Sequence, residues 1–394
     1  MSEPPRQYGP ETQASIYGRG LMGAKPEIPV AFSKLEARAQ DAMSAEAWAY
    51  VAGGAGREEA MAANREALKR VHIAPRMLGG AAERDLRVTF FGLNVSAPVY
   101  AAPIGVLEMA HPEADLAVAR ACGGLGLPIL ISSQASFSME RIAAANDEAA
   151  EGHAPRLYQL YWGKEDAVAE SFVRRAEACG CVAIVITLDT TMLGWRPRDL
   201  DLGFVPFLRG QGIAQYTSDP AFRALLEKPP EEDMQAASFA FTRYFNEPGL
   251  DWARIAKIRQ WTKLPVILKG VLRADDAAKA VSEGYDGIIV TNHGGRQVDG
   301  AIGALDALPG VVAAVGGKIP VLFDSGIYGG SDAFKALALG ASAVGIGRPY
   351  VYGLALGGEG GVRAVFSHIL AELDLVMGLS GVARVGDISS DDLA

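Results

Sequence analysis

The sequence predicts an α/β protein built on a (β/α)8, or TIM, barrel, with an N-terminal helical extension and a long lid-like loop after strand four. Two observations carry that prediction. Eight short apolar runs, at 99–103, 128–132, 157–161, 182–188, 265–269, 287–291, 321–324 and 343–347, have the length and β-branched content of buried parallel strands. Between most of them lies an Ala-rich amphipathic stretch, such as 113–122, 166–179, 274–283 or 331–339, long enough for one crossover helix. A doubly wound open sheet is the other fold that such a rhythm allows.

Taken in order, residues 1–30 are rich in Pro and Gly and are expected to form an irregular arm. Helical patterning begins at Ser33, with Ser33 and Ser44 as candidate N-caps, and stops at Gly53-Gly54-Ala55-Gly56, which no strand precedes. A second helix is expected over 57–69, and the alternating segment 86–93 suits a small hairpin closing the bottom of the barrel. Residues 1–85 thus read as an arm and helices packed on the barrel, and 86–394 as the barrel itself. The interval after strand four, with the lid at about 190–263, is far longer than a crossover needs. Its aromatics favour an active-site lid, in which Arg198 reads as a salt-bridge partner and 227–234, with Pro229-Pro230 and four acids, as the most mobile part.

Composition narrows the partners. The net charge of −9 excludes a broad attraction to nucleic acid or to an anionic membrane surface, so an anionic ligand must be held by a few placed cations. Cys122, Cys179 and Cys181 are odd in number and stand in no metal-ligand pattern, as reduced thiols of a cytoplasmic protein would. No secretory h-region and no membrane-length apolar run is evident, and no metal is expected. His111, His153 and His368 read as structural or solvated.

The strand ends carry the chemistry, because a barrel's active site sits there. Strand six runs from Asp286 into Thr291-Asn292-His293-Gly294-Gly295-Arg296-Gln297, delivering a base, a guanidinium and free backbone to one rim. The others end in Pro103-Ile104-Gly105, Ser132-Ser133-Gln134, Gln159-Leu160-Tyr161, Thr187-Leu188-Asp189, Lys269-Gly270, Asp324-Ser325-Gly326 and Gly345-Ile346-Gly347-Arg348. Glycine amides after strands seven and eight suit a phosphate. Lys269 alone is compatible with a Schiff base or with the edge of a flavin. The neighbouring amide and hydroxyl groups tilt the set towards flavin mononucleotide (FMN), with a small anionic substrate above it.

These residues also carry a resemblance. Thr291 to Gln297, with Pro265-Val266-Ile267-Leu268-Lys269-Gly270 before it and Gly347-Arg348-Pro349 after it, resembles the FMN-dependent α-hydroxy-acid oxidase family over nearly all the chain from about Tyr50. Gly194-Trp195-Arg196-Pro197-Arg198-Asp199-Leu200 and Pro206-Phe207-Leu208-Arg209-Gly210 are most similar to its lactate 2-monooxygenase branch. The resemblance implies His293 as base, Asp189 as its acid partner, and Arg196 and Arg296 on the substrate carboxylate, with Tyr50 and Tyr161 contacting carboxylate and hydroxyl. It places Lys269 at the flavin N1 and O2 edge, and Ser132, Gln159, Thr187 and Thr291 on the ring and ribityl chain. Gly326, Gly347 and Arg348 would take the phosphate, and Pro103, Ile104, Gly105, Asp324 and Ser325 would complete the cofactor contacts.

The implied activity is oxidation of a small L-2-hydroxy acid, foremost L-lactate, with O2 as acceptor and decarboxylation to acetate, CO2 and water. The alternatives are an oxidase releasing the 2-keto acid and H2O2, and a flavin-binding regulatory barrel without catalysis. A cytoplasmic homo-oligomer, tetramer or octamer, is implied as well. Three positions depart from the family pattern: Tyr328 where an arginine is usual at the phosphate, Gly105 for alanine, and Gln134 for an aromatic.

Overall fold

The computed structural model describes residues 4–394, the side chain of Phe90 apart. Helices α1 (Tyr8–Gly20), α2 (Phe32–Ala42), α3 (Ala45–Ala52) and α4 (Glu59–Arg70) precede a hairpin of β1 (Val88–Phe90) and β2 (Leu93–Val95). The barrel strands are β3 (Val99–Ala101), β4 (Ile129–Ser132), β5 (Arg156–Leu160), β6 (Ile184–Thr187), β7 (Val266–Lys269), β8 (Gly287–Val290), β9 (Val321–Phe323) and β10 (Ala343–Ile346). They pair in parallel and close in the order β10-β3-β4-β5-β6-β7-β8-β9, which removes the open-sheet alternative. Helices α5 (Ala114–Leu125), α6 (Met139–Ala149) and α7 (Asp166–Ala178) cross over between early strands. The lid carries α8 (Pro197–Asp201), α9 (Ala214–Thr217), α10 (Pro220–Arg223), α11 (Met234–Phe245), α12 (Trp252–Ile255) and α13 (Ile258–Trp261). Then α14 (Ala274–Ser282), α15 (Ala304–Val315), α16 (Gly330–Ala338) and α17 (Arg348–Leu379) complete the ring.

Alternation along each strand sorts the core. Tyr100, Leu130, Leu157, Val185, Ile267, Ile289, Leu322 and Ala343 pack together inside the barrel, while Ile129, Tyr158, Ile186, Leu268, Val290 and Phe323 belong to the outer core under the helices. Two residues beyond the inner apolar layer, on the same face, stand Ser132, Gln159, Thr187, Lys269, Thr291 and Asp324. One step of the strand period therefore turns a dry core into a polar floor.

Three expectations are corrected. The arm is not irregular throughout: Tyr8–Gly20 is helical, with Pro10 in the first turn, where its missing N–H costs nothing, and Glu11 and Arg19 complementing the helix dipole. Gly9 lets α1 lie directly on α17, since a Cβ there would come within 2.5 Å of Leu375 Cγ. Ser33 is not a cap, because α2 starts at Phe32 behind Ala31; Ser44 does cap α3, accepting from Ala47 N at 3.1 Å. The hairpin is shifted two residues, to 88–95, where Val88, Phe91 and Leu93 pack under the inner layer and Phe91 lies against Gly287 at the start of β8. Among the described residues, no helix is long and apolar enough to cross a membrane.

The lid is pinned to the barrel by aromatic packing. Tyr216 meets Phe172 of α7 at 5.0 Å between ring centroids, Phe241 at 4.7 Å and Phe222 at 5.5 Å. Within 227–234, Glu231 pairs with Arg223 at 2.8 Å and Asp233 caps α11 through Ala236 N.

Candidate active site

The turn after β8 sets the geometry. His293, Gly294 and Gly295 have φ of 59°, 63° and 78°, a left-handed run that a side chain tolerates poorly and that glycine permits. It is held by its own neighbours: His293 N donates to Thr291 Oγ1, Gly294 N to Ser325 Oγ and Gly295 N to Asn292 Oδ1, each at 3.0 Å. Asn292 in turn exchanges two 2.8 Å hydrogen bonds with Asn64 of α4.

The imidazole is thereby aimed between Asp189 and Tyr161, with Thr190 Oγ1 also 3.2 Å from Nδ1. His293 Nδ1 lies 2.9 Å from Asp189 Oδ1, and Nε2 lies 3.4 Å from the Tyr161 hydroxyl. The carboxylate fixes the tautomer with the proton on Nδ1, which leaves Nε2 as an acceptor. Burial holds the His293 pKa below its ordinary value, aided by the charges of Lys269 and Arg196 and opposed by Asp189. Burial pushes the Asp189 carboxyl up, but His293, the Lys269 charge and the Thr190 hydroxyl together outweigh it and the net direction is down. The pair at rest is a neutral imidazole beside a carboxylate.

Two guanidiniums share the same space. Arg196 Nε donates to Arg296 O at 3.2 Å and Nη2 to Gln297 Oε1 at 2.7 Å; Arg296 Nη1 donates to Gly53 O at 2.8 Å, with its guanidinium 5.0 Å from the Tyr50 ring centroid. Burial, and then repulsion from Arg196, hold the Arg296 pKa down to about 9. No ion pair among the described residues reaches Arg196, Arg296 or Arg348. Crowded cations of this kind call for an anion between them.

Tyr50, Pro103, Ile104, Gly105, Tyr161, Arg196, Lys269, His293, Arg296, Asp324, Ser325, Gly326, Gly347 and Arg348 line one cavity of about 960 Å³, its mouth included. Asp189 stands behind His293. Ser132, Gln159, Thr187 and Thr291 do not line the cavity but form the polar floor described above. There Gln159 Oε1 accepts from Ser132 Oγ at 3.3 Å, Gln159 Nε2 donates to Thr187 Oγ1 at 2.9 Å, and Thr291 Oγ1 bonds Asp324 and Ser325. Lys269 Nζ is buried 3.4 Å from Asp324 Oδ2.

The donor set suits a flavin nucleotide. A buried ammonium and a row of amide and hydroxyl groups serve a ring with mixed donors and acceptors. At the far end Gly326, Gly347, Arg348 and the N-terminus of α17 lie in the same lining and could hold a phosphate, and a Cβ at Gly347 would meet only Ile104 Cδ1, at 3.6 Å. Arg348 is braced there by Val51 O, Gly53 O and Gly294 O.

Comparison with known proteins agrees with that chemistry: residues 39–394 match the family described as FMN-dependent dehydrogenase. The chain belongs to this family. It is 41% identical over 392 residues to the FMN-dependent alpha-hydroxy acid dehydrogenase qulF of Penicillium citrinum, covering 98% of this chain and 96% of that protein. It is 40% identical to an L-lactate oxidase of Lysinibacillus sphaericus (strain C3-41), covering 92% of each. The crystal structure of mandelate oxidase with (S)-4-hydroxymandelic acid superposes with a TM-score of 0.82 at 38% identity, covering 93% of this chain and 98% of that one. The protein is thus an FMN-dependent α-hydroxy-acid oxidoreductase, and FMN is its cofactor.

Several neighbours of the site were not assigned roles from the sequence. Gln297 bridges the lid to the turn after β8, with Nε2 donating to Asp189 O and Met192 O at 2.9 Å each. Thr190 and Leu193 line the cavity. Tyr328, in place of the usual arginine, stacks on Phe32 at 3.8 Å, and the Arg65 guanidinium lies over its ring at 4.3 Å while pairing with Asp332 at 2.7 Å. A cation from α4 therefore stands near the corner where the arginine is missing. Arg198, by contrast, is the salt-bridge partner the sequence predicts, pairing with Glu58 at 2.6 Å.

Proposed function

We propose that this protein oxidises a small L-2-hydroxy acid, L-lactate being the simplest that fits, and that with O2 it yields acetate, CO2 and water. The observation that carries the reading is His293, paired with Asp189 behind it at 2.9 Å, in one cavity with Arg196 and Arg296, which have no ion-pair partner among the described residues. The guanidiniums hold the carboxylate, and Nε2 of His293 takes the proton of the 2-hydroxyl while Asp189 stabilises the imidazolium. Tyr50 and Tyr161, their phenols kept protonated by burial, donate to the carboxylate and hydroxyl. Lys269 keeps a positive charge at the pyrimidine edge of the ring, and Ser132, Gln159, Thr187 and Thr291 position it from below. Pro103, Ile104 and Gly105 flank the ring, while Ser325, Gly326, Gly347 and Arg348 hold the phosphate. Bound FMN supplies the acceptor for the two electrons leaving C2 and passes them to oxygen.

Lid closure decides the product. Gln297 ties residues 189–196 to the turn after β8, and that tether favours retaining the keto acid and peroxide until they react. Peroxide-releasing oxidation is the second reading, favoured by the likeness to proteins named L-lactate oxidase. A cytoplasmic location, supported by three unpaired cysteines, and a homo-oligomeric state belong to the same proposal. The test is anaerobic reduction with L-lactate followed by oxygen and assay of peroxide and acetate. Acetate matching the lactate consumed is expected; stoichiometric free peroxide would overturn the decarboxylating reading, and an unbleached flavin would remove lactate as substrate.

A further inference from the structure

Among the described residues, one buried side-chain nitrogen of the cavity lining has no acceptor in the protein. Gln134 follows β4, is 6% exposed and belongs to the cavity lining. Its backbone is already committed, with N–H donating to Ser132 Oγ at 3.0 Å and C=O accepting from Val106 N at 2.9 Å. Its amide is not: Nε2 is buried without a protein acceptor among the described residues. Among the described residues, the other such atom in the lining is Asp324 Oδ2, which has Lys269 Nζ beside it. Gly105 makes the placement possible, because a Cβ there would stand 2.6 Å from Gln134 Cβ and 3.2 Å from its Oε1.

We propose that Gln134 is a specificity residue that selects 2-hydroxy acids carrying a hydroxyl or similar hydrogen-bonding group on C3 over those with a plain alkyl side chain. The inference rests on the reading of this cavity as a 2-hydroxy-acid site. With the carboxylate assigned to Arg196 and Arg296 and the 2-hydroxyl to His293 and Tyr161, the remaining substituent of C2 is assigned to the rest of the lining, where Gln134 stands beside Gly105 and Leu193 also contributes. Leu193 offers it an apolar wall and Gln134 an unanswered amide. A methyl or ethyl group seals that amide away without a partner, whereas a hydroxyl accepts from Nε2, or donates to Oε1 if the amide is turned the other way. Sites holding an unpaired buried polar group discriminate strongly against the analogue that leaves it unpaired. L-lactate is then the smallest substrate rather than the best one.

(S)-Glycerate and (S)-2-hydroxybutyrate are near-isosteric and differ at C3 by a hydroxyl for a methyl. In anaerobic stopped-flow reduction of the holoenzyme, glycerate is expected to bleach the flavin at least about tenfold more efficiently. In Gln134→Met the two are expected to come within about threefold. Equal or reversed preference in the wild type overturns the proposal, as does an unchanged ratio in a folded, flavin-loaded Gln134→Met. The corresponding keto acids, hydroxypyruvate and 2-ketobutyrate, titrated against the flavin spectrum, make the same comparison without turnover and without the variant. Tighter binding of 2-ketobutyrate overturns the proposal. Failure of every hydroxy acid to bleach the flavin instead defeats the 2-hydroxy-acid reading itself, and the two failures are distinct.

Discussion

His293 is held with φ 59°, a conformation that is costly away from glycine by about 1–3 kcal/mol and persists only where its surroundings impose it. Thr291, Ser325, Asn292 and, through Asn292, Asn64 impose it here, and the result is an imidazole set between Asp189 and Tyr161. If His293 acts as base, Asp189→Asn removes both the fixed tautomer and the charge that favours the imidazolium. The rate constant for flavin reduction is then expected to fall by about 10²–10⁴-fold with the flavin still bound. The sign of the pH effect follows from the same pair. The neutral imidazole is the active form, so rates fall as pH drops through the His293 pKa, which burial places below the usual histidine value. Loss of Asp189 removes the group that raises it, so the acid limb moves to lower pH. Reduction rates measured from about pH 4 to about pH 8, a range that brackets the free-histidine value and extends further below it, check both effects, and an unchanged profile would separate Asp189 from the base. Residues of this kind were legible in the sequence where they ended a strand. Asn64 was not, because its partner Asn292 lies 228 residues away and nothing local to α4 marks it.

At the scale of elements, the strands were legible for a simple reason: burial on both faces forces continuous β-branched runs, and a glycine or polar group marks where each run leaves the core. Helix starts were less legible, since α2 begins without a side-chain cap, and α1 is specified by its fit against α17 more than by its Pro- and Gly-rich composition. Aromatic content did mark the lid as an ordered element. Its hold on α7 runs through Tyr216, Phe222 and Phe241, all essentially without exposure. Phe241→Ala leaves a cavity in that cluster and is expected to destabilise the fold by about 3–5 kcal/mol, or less if the lid detaches alone. Thermal denaturation, with limited proteolysis of 190–263 alongside, distinguishes the two. If the lid retains peroxide as proposed, the same variant is expected to raise the fraction of peroxide released. Unchanged product partition would mean that this cluster does not govern retention.

For the whole molecule, the barrel and its N-terminal segment meet at one buried carboxylate. Asp374, on α17 and fully buried, accepts from Gly9 N of α1 at 2.7 Å and from Arg84 Nε at 2.8 Å and Nη2 at 3.1 Å. Three segments far apart in sequence are therefore joined at a single side chain: the first helix, the connection entering the hairpin, and the last helix. A buried charge pair contributes little over an apolar pair of the same shape, yet breaking it leaves an unpaired buried charge. Asp374→Ala is accordingly expected to cost about 3–5 kcal/mol, because Arg84 loses its only carboxylate among the described residues and Gly9 N its acceptor. Arg84→Met, which removes a charge but keeps the volume, still strands Asp374, so it should be nearly as costly. The double variant Asp374→Leu with Arg84→Met should recover most of the loss, the hydrogen bond of Gly9 excepted. Chemical denaturation of the four proteins, wild type included, gives the coupling directly. Additive losses, with no recovery in the double variant, would show that the carboxylate and guanidinium act separately and that the N-terminal helix is secured by its packing on Leu375 alone.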